Sequence, residues 1–324
     1  MAAARLGEFE LIARFFAPLA GPGALGLRDD AALLDVSPDS QLVLTNDTVI
    51  AGVHFRADDP PDLVARKALR VNLSDLAAKG ARPLGFLQAL TLNGSITDAW
   101  LESYARGLAE DVSAFHIPLV GGDTTTSTGP LCITITALGE TPKDSAILRS
   151  GARAGDVVHV SGSIGDSALG LACLMGELNL PPEHAVALAD RYHLPRPRMD
   201  VGRALRGNAT AALDISDGLV ADLGHMADAS RVGITIERDA VPLSASARAA
   251  IAADPALWEK ILAGGDDYEI AFAVPAARTA EIARIAHETG VALTPIGRVT
   301  AGTGVTVNAG GQPMTLSSTG YRHR

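Results

Sequence analysis

The sequence is poor in cysteine, lysine and aromatic residues. Its 324 residues include only two cysteines, Cys132 and Cys173, which lie too far apart to form the CxxC pair of a zinc or redox motif. Each lies in an apolar segment, so we expect buried free thiols and a protein of the reducing cytoplasm. Because aromatic residues make up 4% of the chain, Ala, Val, Leu and Ile must fill its hydrophobic cores.

Long apolar runs and basic stretches are also missing. No run of about 18 apolar residues is free of charge, so we expect no membrane span. A signal peptide is not expected either, because Glu8, Glu10 and Arg14 are spaced through the apolar residues of an amphipathic helix predicted within residues 1–23. The formal charge of −10 argues against a nucleic-acid partner, since such proteins carry a basic surface.

Two common catalytic motifs are absent as well. The chain has four lysines and no GxxxxGK[ST] sequence, which excludes a Walker-type phosphate loop. No GxSxG elbow accompanies His54, His116 or His193, so the sequence does not indicate a serine or cysteine hydrolase.

Short apolar strands and helical patterns alternate along the chain, which predicts an α/β or α+β fold. Strands are predicted over residues 41–45, 84–92, 131–138, 157–161, 211–215, 234–237, 268–274 and 293–299. Helices are predicted over residues 62–79, 98–115, 166–177, 217–229 and 278–288. Residues 139–156 collect Gly, Pro, Ser and charge, so we place a boundary near Ala146, which gives domains 1–146 and 147–324.

Acidic residues beside Gly, Ser or Thr recur at the predicted strand ends. The five clusters are GLRDDAALL, LTNDT, LVGGDTTTSTG, ALDISDGL and LAGGDDYEI. One such cluster would indicate a turn or a helix cap. Five of them favour a ligand site, because α/β folds assemble their sites from strand ends and the following loops. For Asp217, at a helix entrance, capping and metal contact remain equally open.

Side-chain alternation along a strand divides the residues of the LTNDT cluster between the two faces of the sheet. If the strand continues this far, Thr45 and Asp47 share one face and the side chain of Asn46 points the other way, so that Asn46 could reach a metal only through its backbone carbonyl. Asp214 and Ser216 share a face by the same rule. On the helix at 62–79, a second polar stripe consists of Asn72, Asp75 and Lys79. This stripe is either a solvated face with an Asp75–Lys79 ion pair or a further source of carboxylate beside the strand end.

The oxygen-rich clusters point to a hard cation. Carboxylates and hydroxyls without a cluster of Cys or His favour Mg²⁺ over zinc. A divalent cation would also explain how so acidic a chain binds an anionic ligand such as a phosphate. The turn GSIGDSALG, residues 162–170, either presents N–H groups to an anion or caps the helix that follows it.

In order and spacing, the motifs of the whole chain resemble those of the thiamine-monophosphate kinase family, within the ATP-dependent superfamily of aminoimidazole ribonucleotide synthetase. They are GEFELIARFF, DDAALL, TNDTVIAGVHF, KALRVNLSDLAAKGARP, VGGDTT, RSGARAGD, DISDGL, GGDDYEI and GYRHR. The resemblance implies a two-domain fold in which an N-terminal ATP- and Mg-binding domain pairs its sheet with that of a second subunit. It also implies transfer of the γ-phosphoryl group of ATP to thiamine monophosphate at a site near the dimer interface, with several Mg²⁺ ions and no nucleic-acid or membrane partner.

The resemblance assigns roles to individual residues. Catalysis would involve the four carboxylates Asp47, Asp75, Asp123 and Asp214. Metal ligands would be Asp30, Thr45, Asn46, Asp47, Asp75, Asp123, Asp214 and Asp217. Nucleotide contacts would be Tyr104, Gly122, Asp123, Arg149 and Ser216, and substrate contacts would be His54, Asp266 and Tyr321.

The chain departs from the family pattern at three positions. Arg28 stands in place of a common Gly, Asn46 in place of a usual Thr, and Asp266 in place of a usual Glu, which shortens its reach by one methylene. Two alternatives stay open from the sequence. One is another enzyme of the superfamily, such as an aminoimidazole ribonucleotide synthetase or a selenophosphate synthetase, although the reactive N-terminal Cys of the latter is absent. The other is a non-catalytic dimer that binds Mg-nucleotide.

Overall fold

The fold comes from a computed structural model that describes residues 7–29 and 31–321. The chain folds into two units. The first comprises the residues up to Leu76 together with Ala81–Asp144, and the second comprises Ala77–Gly80 and the residues from Ser145 onward. Each unit has its own sheet, and the two are described separately.

The first unit begins with an irregular helical segment. Helix α1 spans Glu8–Leu11, and the chain then continues as a π-helix over Ile12–Phe16. Two 3-10 segments follow, at Ala17–Leu19 and Pro22–Leu27. Phe15 and Phe16 are buried, so the predicted N-terminal helix does bury an apolar side, but it is neither regular nor continuous.

A four-stranded mixed sheet forms the centre of the first unit. Its strands are β1 (Ser40–Ile50), β2 (Arg82–Leu92), β3 (Leu119–Thr126) and β4 (Cys132–Pro142), in the order β1-β4-β2-β3. Strand β4 pairs antiparallel with both β1 and β2, and β3 lies parallel to β2 at the edge. Strand β1 extends to Ile50, so the whole LTNDT cluster lies within it and side-chain alternation applies to every member.

Two long helices, α2 (Pro61–Ala78) and α3 (Asp98–Phe115), cover one face of this sheet. Leu69, Leu73 and Leu76 of α2 are fully buried, as the predicted core stripe requires. On α3, Gly107 is needed for close packing, because a Cβ atom there would lie 2.2 Å from the carbonyl oxygen of Asp62. We call this side of the sheet the helix-covered face.

The other side of the four-stranded sheet is the open face. It carries the alternate residues of the strands, among them three leucines with substantial exposure: Leu42 at 44%, Leu44 at 61% and Leu87 at 38%. Polar residues lie between them, including Thr48 and Thr134, whose hydroxyl oxygens are 2.8 Å apart.

The second unit contains a seven-stranded sheet. In spatial order its strands are β11 (Gln312–Met314), β10 (Gly304–Ala309), β7 (Gly233–Glu237), β9 (Leu293–Thr300), β5 (Val157–Ser161), β8 (Ile270–Val274) and β6 (Ala211–Asp214). Its helices are α4 (Asp166–Leu174), α5 (Pro182–His193), α6 (Met199–Leu205), α7 (Leu219–Ser230), α8 (Ala245–Ala253), α9 (Trp258–Ala263) and α10 (Thr279–Thr289).

Both faces of the seven-stranded sheet are buried, because the residues of one strand divide between two hydrophobic clusters. On β8, Ala271 and Ala273 belong to the larger cluster, whereas Ile270, Phe272 and Val274 belong to the smaller one. Helices therefore pack on both sides of this sheet, whose strands pair antiparallel except for β7 with β10.

The structure contains all eight strands and five helices predicted from the sequence over residues 41–299. It also contains several elements that the sequence patterns missed. The additional elements are β3, β10, β11, α5, α6, α8 and α9. Cys132 and Cys173 are free, as predicted, but they are half-buried rather than buried. Over residues 7–29 and 31–321, no helix combines the length and apolarity that a membrane crossing requires.

Candidate active site

The first acidic group lies where β1 meets α2. Thr45 and Asp47 both point to the helix-covered face, and the Thr45 hydroxyl donates a 2.5 Å hydrogen bond to the carboxylate of Asp75. The backbone N–H of Asp47 donates to Oδ1 of Asn72, a fully buried residue one turn before Asp75 on α2. The polar stripe of α2 thus meets the strand, which decides between the two alternatives for Asp75 in favour of a further carboxylate beside Asp47.

The neighbouring carboxylate of Asp75 opposes the ionisation of Asp47. The pKa of Asp47 is raised to about 6, first by burial and then by the charge and hydrogen bond of Asp75. A nearby cation would favour the ionised form of such a carboxylate. The oxygens of both carboxylates, with the Thr45 hydroxyl, are the ligand type that Mg²⁺ prefers, so these residues fit a divalent cation.

Asn46 points away from this group, as alternation predicted. Its amide nitrogen donates to the hydroxyl of Thr136 at 2.7 Å and to the carbonyl of Ile135 at 3.4 Å, both on the neighbouring strand β4. The side chain is therefore engaged on the open face, opposite Thr45 and Asp47.

Asp123 does not join Asp47 within one chain. Register places Asp123 of β3 level with Ala89 of β2, and this row continues through β4 to Thr48 on the open face. Asp47 and Asp123 are separated by three inter-strand spacings, or about 14 Å, and their side chains face opposite sides of the sheet. A single metal ion cannot bridge them in this arrangement.

Gly122, beside Asp123, is required by close packing. Its φ is +156°, and a Cβ atom there would lie 1.9 Å from the carbonyl oxygen of Gln88. Gln88, Gly122 and Asp123 border a cavity of about 160 Å³ that the N-terminal segment also lines. At Gly122, the backbone of β3 therefore borders this cavity without an intervening side chain.

Tyr104 lies beneath that region and is fully buried. Its hydroxyl donates to Oε1 of Gln88 at 2.7 Å, and its ring stacks on Trp100 with centroids 5.1 Å apart. Burial raises its pKa above the ordinary range. The tyrosine thus supports Gln88 and exposes no surface to a ligand. Its assignment as a nucleotide contact is not supported by this burial and stays a prediction.

His54 follows β1 in a tight turn. The backbone N–H of Ile50 donates to its Nδ1 at 3.1 Å, which places the proton of the neutral ring on Nε2. Gly52, with a φ of +82°, allows the chain to turn back over the end of the strand. The imidazole is half-buried beside the end of β1.

The second acidic group is organised around a turn at residues 215–218, immediately after β6. Asp214 ends the strand and is buried, while Ser216 and Asp217 are half-buried. One oxygen of Asp222, on α7, accepts hydrogen bonds from three successive backbone N–H groups: Ser216 at 3.0 Å, Asp217 at 3.0 Å and Gly218 at 3.1 Å. Burial raises the pKa of Asp222 to about 7 despite these donors.

The carbonyl groups of the same turn hold two further predicted site residues. The N–H of Asp266 donates to the Ser216 carbonyl at 2.8 Å, and the N–H of Tyr321 donates to the Asp217 carbonyl at 2.9 Å. The 215–218 turn therefore brings together five residues that sequence motifs selected separately: Asp214, Ser216, Asp217, Asp266 and Tyr321. Arg149, by contrast, is exposed on an irregular segment before β5.

The loop at residues 264–269 is held by two acids that sequence reasoning missed. Asp267 is buried and accepts from the N–H groups of Gly165, at 2.7 Å, and Ser167, at 3.4 Å. Burial raises its pKa well above the usual range. The N–H groups of the GSIGDSALG turn are thus occupied by a protein carboxylate, which favours capping over the binding of an external anion.

Glu269 is the second of these acids. It is fully buried and accepts from Nη2 of Arg191 at 2.9 Å, Nε of Arg198 at 2.6 Å and the hydroxyl of Ser161 at 2.6 Å. Asp266, just before the first anchor, and Tyr268, between the two anchors, adopt left-handed φ values of +79° and +51°. Both Asp267 and Glu269 belong to the GGDDYEI motif. The motif alone does not show which of its acidic residues are buried and which face outward.

A further acidic cluster overlaps the turn. Ligand atoms of Asp217, Asp222 and His225 lie within 4.8 Å of one another. Asp217 is the member that the motifs assign to metal, whereas one Asp222 oxygen is already used by the backbone. Asp30, another predicted metal ligand, lies outside the described residues.

Comparison with known proteins identifies the family of the chain. Two family models match the chain: AIR synthase related protein, N-terminal domain, over residues 28–141, and AIR synthase related protein, C-terminal domain, over residues 153–310. Thiamine-monophosphate kinase of Caulobacter vibrioides is 43% identical, covering 99% of this chain and 92% of its own.

Solved structures give the same result. The crystal structure of thiamine-monophosphate kinase from Stenotrophomonas maltophilia K279a has a TM-score of 0.85 at 39% identity, over 95% of this chain and 98% of that chain. The structure of AaThiL complexed with AMPPCP and TMP has a TM-score of 0.79 at 32% identity and covers 100% of both chains. This chain therefore belongs to the thiamine-monophosphate kinase family.

Proposed function

We propose that this chain transfers the γ-phosphoryl group of ATP directly to thiamine monophosphate, giving thiamine diphosphate and ADP. The observation that carries the proposal is the group formed by Thr45, Asp47 and Asp75, in which burial and the neighbouring carboxylate raise the pKa of Asp47 to about 6. Such a group favours a divalent cation, and membership of the family supplies the reaction and both substrates.

The site matches the needs of phosphoryl transfer. Magnesium ions, when bound, would neutralise phosphate charge and bring the two phosphates into line. The protein's own oxygen ligands would hold them, and we assign this role to Asp30, Thr45, Asn46, Asp47, Asp75, Asp123, Asp214 and Asp217, with Asn46 acting through its backbone carbonyl. No strong general base is needed, because the attacking oxygen belongs to an already ionised phosphate.

Nucleotide and substrate contacts are proposed for the residues that the family motifs select. Nucleotide contacts are assigned to Tyr104, Gly122, Asp123, Arg149 and Ser216. Substrate contacts are assigned to His54, Asp266 and Tyr321. His54 would donate from Nε2, because the Ile50 N–H fixes its tautomer. We further propose that the protein acts in the cytoplasm.

We also propose that the working enzyme is a homodimer in which Asp123 serves the site of the other subunit. The separation of about 14 Å between Asp47 and Asp123, and their opposite faces, support this. The exposed leucines of the open face supply apolar area for a second copy to cover.

Mixing two inactive variants tests the shared site. In a twofold dimer, Asp47→Asn paired with Asp123→Asn leaves one site doubly altered and the other intact, so co-expression should restore about a quarter of wild-type activity. If Asp123 acts within its own subunit, the mixed dimers will remain inactive. An active monomer in sedimentation would also contradict the proposal.

The reaction itself is tested by incubating purified protein with ATP, Mg²⁺ and thiamine monophosphate, followed by chromatography. Thiamine diphosphate and ADP should form in equal amounts, and EDTA should stop the reaction. A folded protein that binds ATP but forms no thiamine diphosphate would refute the proposed activity and favour a non-catalytic nucleotide-binding dimer.

A further inference from the structure

One carboxylate oxygen organises the turn that carries the second acidic group. Asp222 accepts from the N–H groups of Ser216, Asp217 and Gly218, all at 3.0–3.1 Å. The residue is 4% exposed, so little water competes for these donors. Three aligned donors on one oxygen fix the orientation of consecutive peptide units.

These donors belong to the turn rather than to the helix. Helix α7 begins at Leu219, and its N-cap is Gly218, which has no side chain to act as a cap. Asp222 lies in the first turn of α7 and reaches back past the helix start. Its charge is placed favourably at the helix N-terminus, but its hydrogen bonds stabilise the segment in front of it.

The carbonyl groups of the same turn hold residues that we assign to the substrate. The Ser216 carbonyl accepts from Asp266, the Asp217 carbonyl from Tyr321, and the Ile215 carbonyl from the N–H of Tyr268 at 2.8 Å. Any rotation of the turn would move both the 264–269 loop and Tyr321. A single buried acid therefore controls groups from three separate parts of the sequence.

We propose that Asp222 is a positioning residue, which holds the 215–218 turn so that Ser216, Asp217, Asp266 and Tyr321 keep their places for the reaction. It acts through backbone hydrogen bonds and touches neither substrate nor nucleotide. This inference rests on the proposed function for the roles of those four residues.

Two other roles would give different results. If Asp222 only stabilises α7, its loss will lower the melting temperature without changing the kinetics of the folded enzyme. If it is a metal ligand together with Asp217 and His225, then His225→Ala will reproduce its loss.

The experiment compares Asp222→Ala and Asp222→Asn with a matched control. Asp156 is a similarly buried carboxylate that accepts from the Arg153 N–H at 2.9 Å and from the Thr210 hydroxyl at 2.7 Å. It lies beside the start of β6, whereas Asp214 and the turn lie at the other end of that strand. Asp156→Ala and Asp156→Asn therefore remove a similar anchor away from the turn.

Asp222→Ala should raise the KM for thiamine monophosphate about tenfold or more, as expected for a displaced contact. Amide hydrogen exchange at residues 216–218 should accelerate by a similar factor, about tenfold. Asp222→Asn, which keeps an acceptor oxygen, should lie between Ala and wild type in both measurements. The Asp156 variants should change the melting temperature but leave the KM within about twofold.

A double-mutant cycle shows whether Asp222 acts through the turn. In a Tyr321→Ala background, Asp222→Asn should raise the KM by a smaller factor than it does in the wild type. Full additivity, or unchanged KM and exchange in both Asp222 variants, would overturn the proposal, as would an equal defect in His225→Ala. If Asp222→Ala does not fold, the KM and hydrogen exchange of Asp222→Asn decide whether Asp222 is a positioning residue.

The kinase proposal can fail separately. In that case the wild-type protein forms no thiamine diphosphate, and the exchange measurement alone still decides whether Asp222 holds the turn.

Discussion

The two acidic groups of this protein are built by different means. At the first, regular elements position the side chains: β1 presents Thr45 and Asp47 on one face, and α2 brings Asp75 against them. At the second, an irregular turn and a loop with two left-handed residues are held by buried acids. Periodicity can therefore place the acidic side chains of the first group, whereas backbone hydrogen bonding holds the segments of the second.

The acids also differ in what compensates their charge. Asp47 lies beside Asp75, and no basic side chain offsets this neighbouring charge among the causes of its raised pKa. Glu269 is compensated internally by Arg191 and Arg198. The first arrangement is destabilising by itself, whereas the charge of Glu269 is balanced within the protein.

The largest effect should come from removing a proposed metal ligand. Asp47→Asn and Asp123→Asn should each lower kcat by at least about a hundredfold to a thousandfold, because charge stabilisation at the phosphates is lost. Circular dichroism should show an intact fold. Near-normal activity of either variant at low Mg²⁺ would remove that residue from the site.

The internal anchor should give the largest loss of stability. Glu269→Gln leaves two arginines without their buried counter-charge, which should lower the free energy of unfolding by about 3–5 kcal/mol. Urea denaturation measures the change, with Glu281→Gln, which breaks an exposed helix-surface pair with Arg284, as the control. A loss no greater than in the control would show that Glu269 is not the anchor of its loop.

In the first acidic group, removing a carboxylate is expected to raise the stability of the metal-free protein. Because the pKa of Asp47 is raised to about 6, the metal-free folded protein holds a proton between about pH 4 and pH 6 that the unfolded chain has released. The free energy of unfolding therefore falls as pH rises from about 4 to about 6. Above pH 6 the folded protein carries the full destabilisation from ionised Asp47. At pH 7.5 without metal, Asp47→Asn should be more stable than wild type by about 2–3 kcal/mol. Urea denaturation of both proteins in EDTA measures the difference, and a less stable variant would contradict it.

Magnesium should reverse this cost in the wild type. The rise in melting temperature on adding Mg²⁺ should be larger at pH 7.5 than at pH 5, where protons compete for Asp47. Thermal unfolding with and without the ion measures both values. An equal or larger shift at pH 5 would contradict the assignment of Asp47 as a ligand.

The smallest effect is expected at Asn46. Because its amide bonds Thr136 on the open face, Asn46→Thr should change stability by no more than about 1 kcal/mol. The value of kcat/KM should change by less than about threefold, roughly 0.6 kcal/mol. Coordinates of the Mg²⁺ complex with the Asn46 amide on the metal would refute this account.

The sequence was sufficient for the parts of the molecule in which pattern determines structure. Strict alternation separated Asn46 from Thr45 and Asp47, and helical spacing put Asn72 and Asp75 on one stripe. It missed β3 because LVGGDTTT combines two glycines with polar threonines, and its strand form depends on pairing with β2. The short helices were missed for a related reason, since tertiary packing rather than a long periodic pattern stabilises them.

The second group could not be predicted in the same way. Asp222 and Glu269 look like ordinary surface acids in the sequence, and their burial follows from the tertiary fold, as the contacts of Glu269 with Arg191 and Ser161 illustrate. Family motifs selected Asp266 and Tyr321, but only the fold shows that one turn fixes both.

The most direct test of the central claim follows the γ-phosphoryl group of ATP itself. ATP labelled at the γ-phosphorus is mixed with the protein, Mg²⁺ and thiamine monophosphate, and the products are separated. We predict that the label appears in the terminal phosphate of thiamine diphosphate at the rate at which ADP forms. Label released only as inorganic phosphate, or remaining in ATP, would contradict direct transfer.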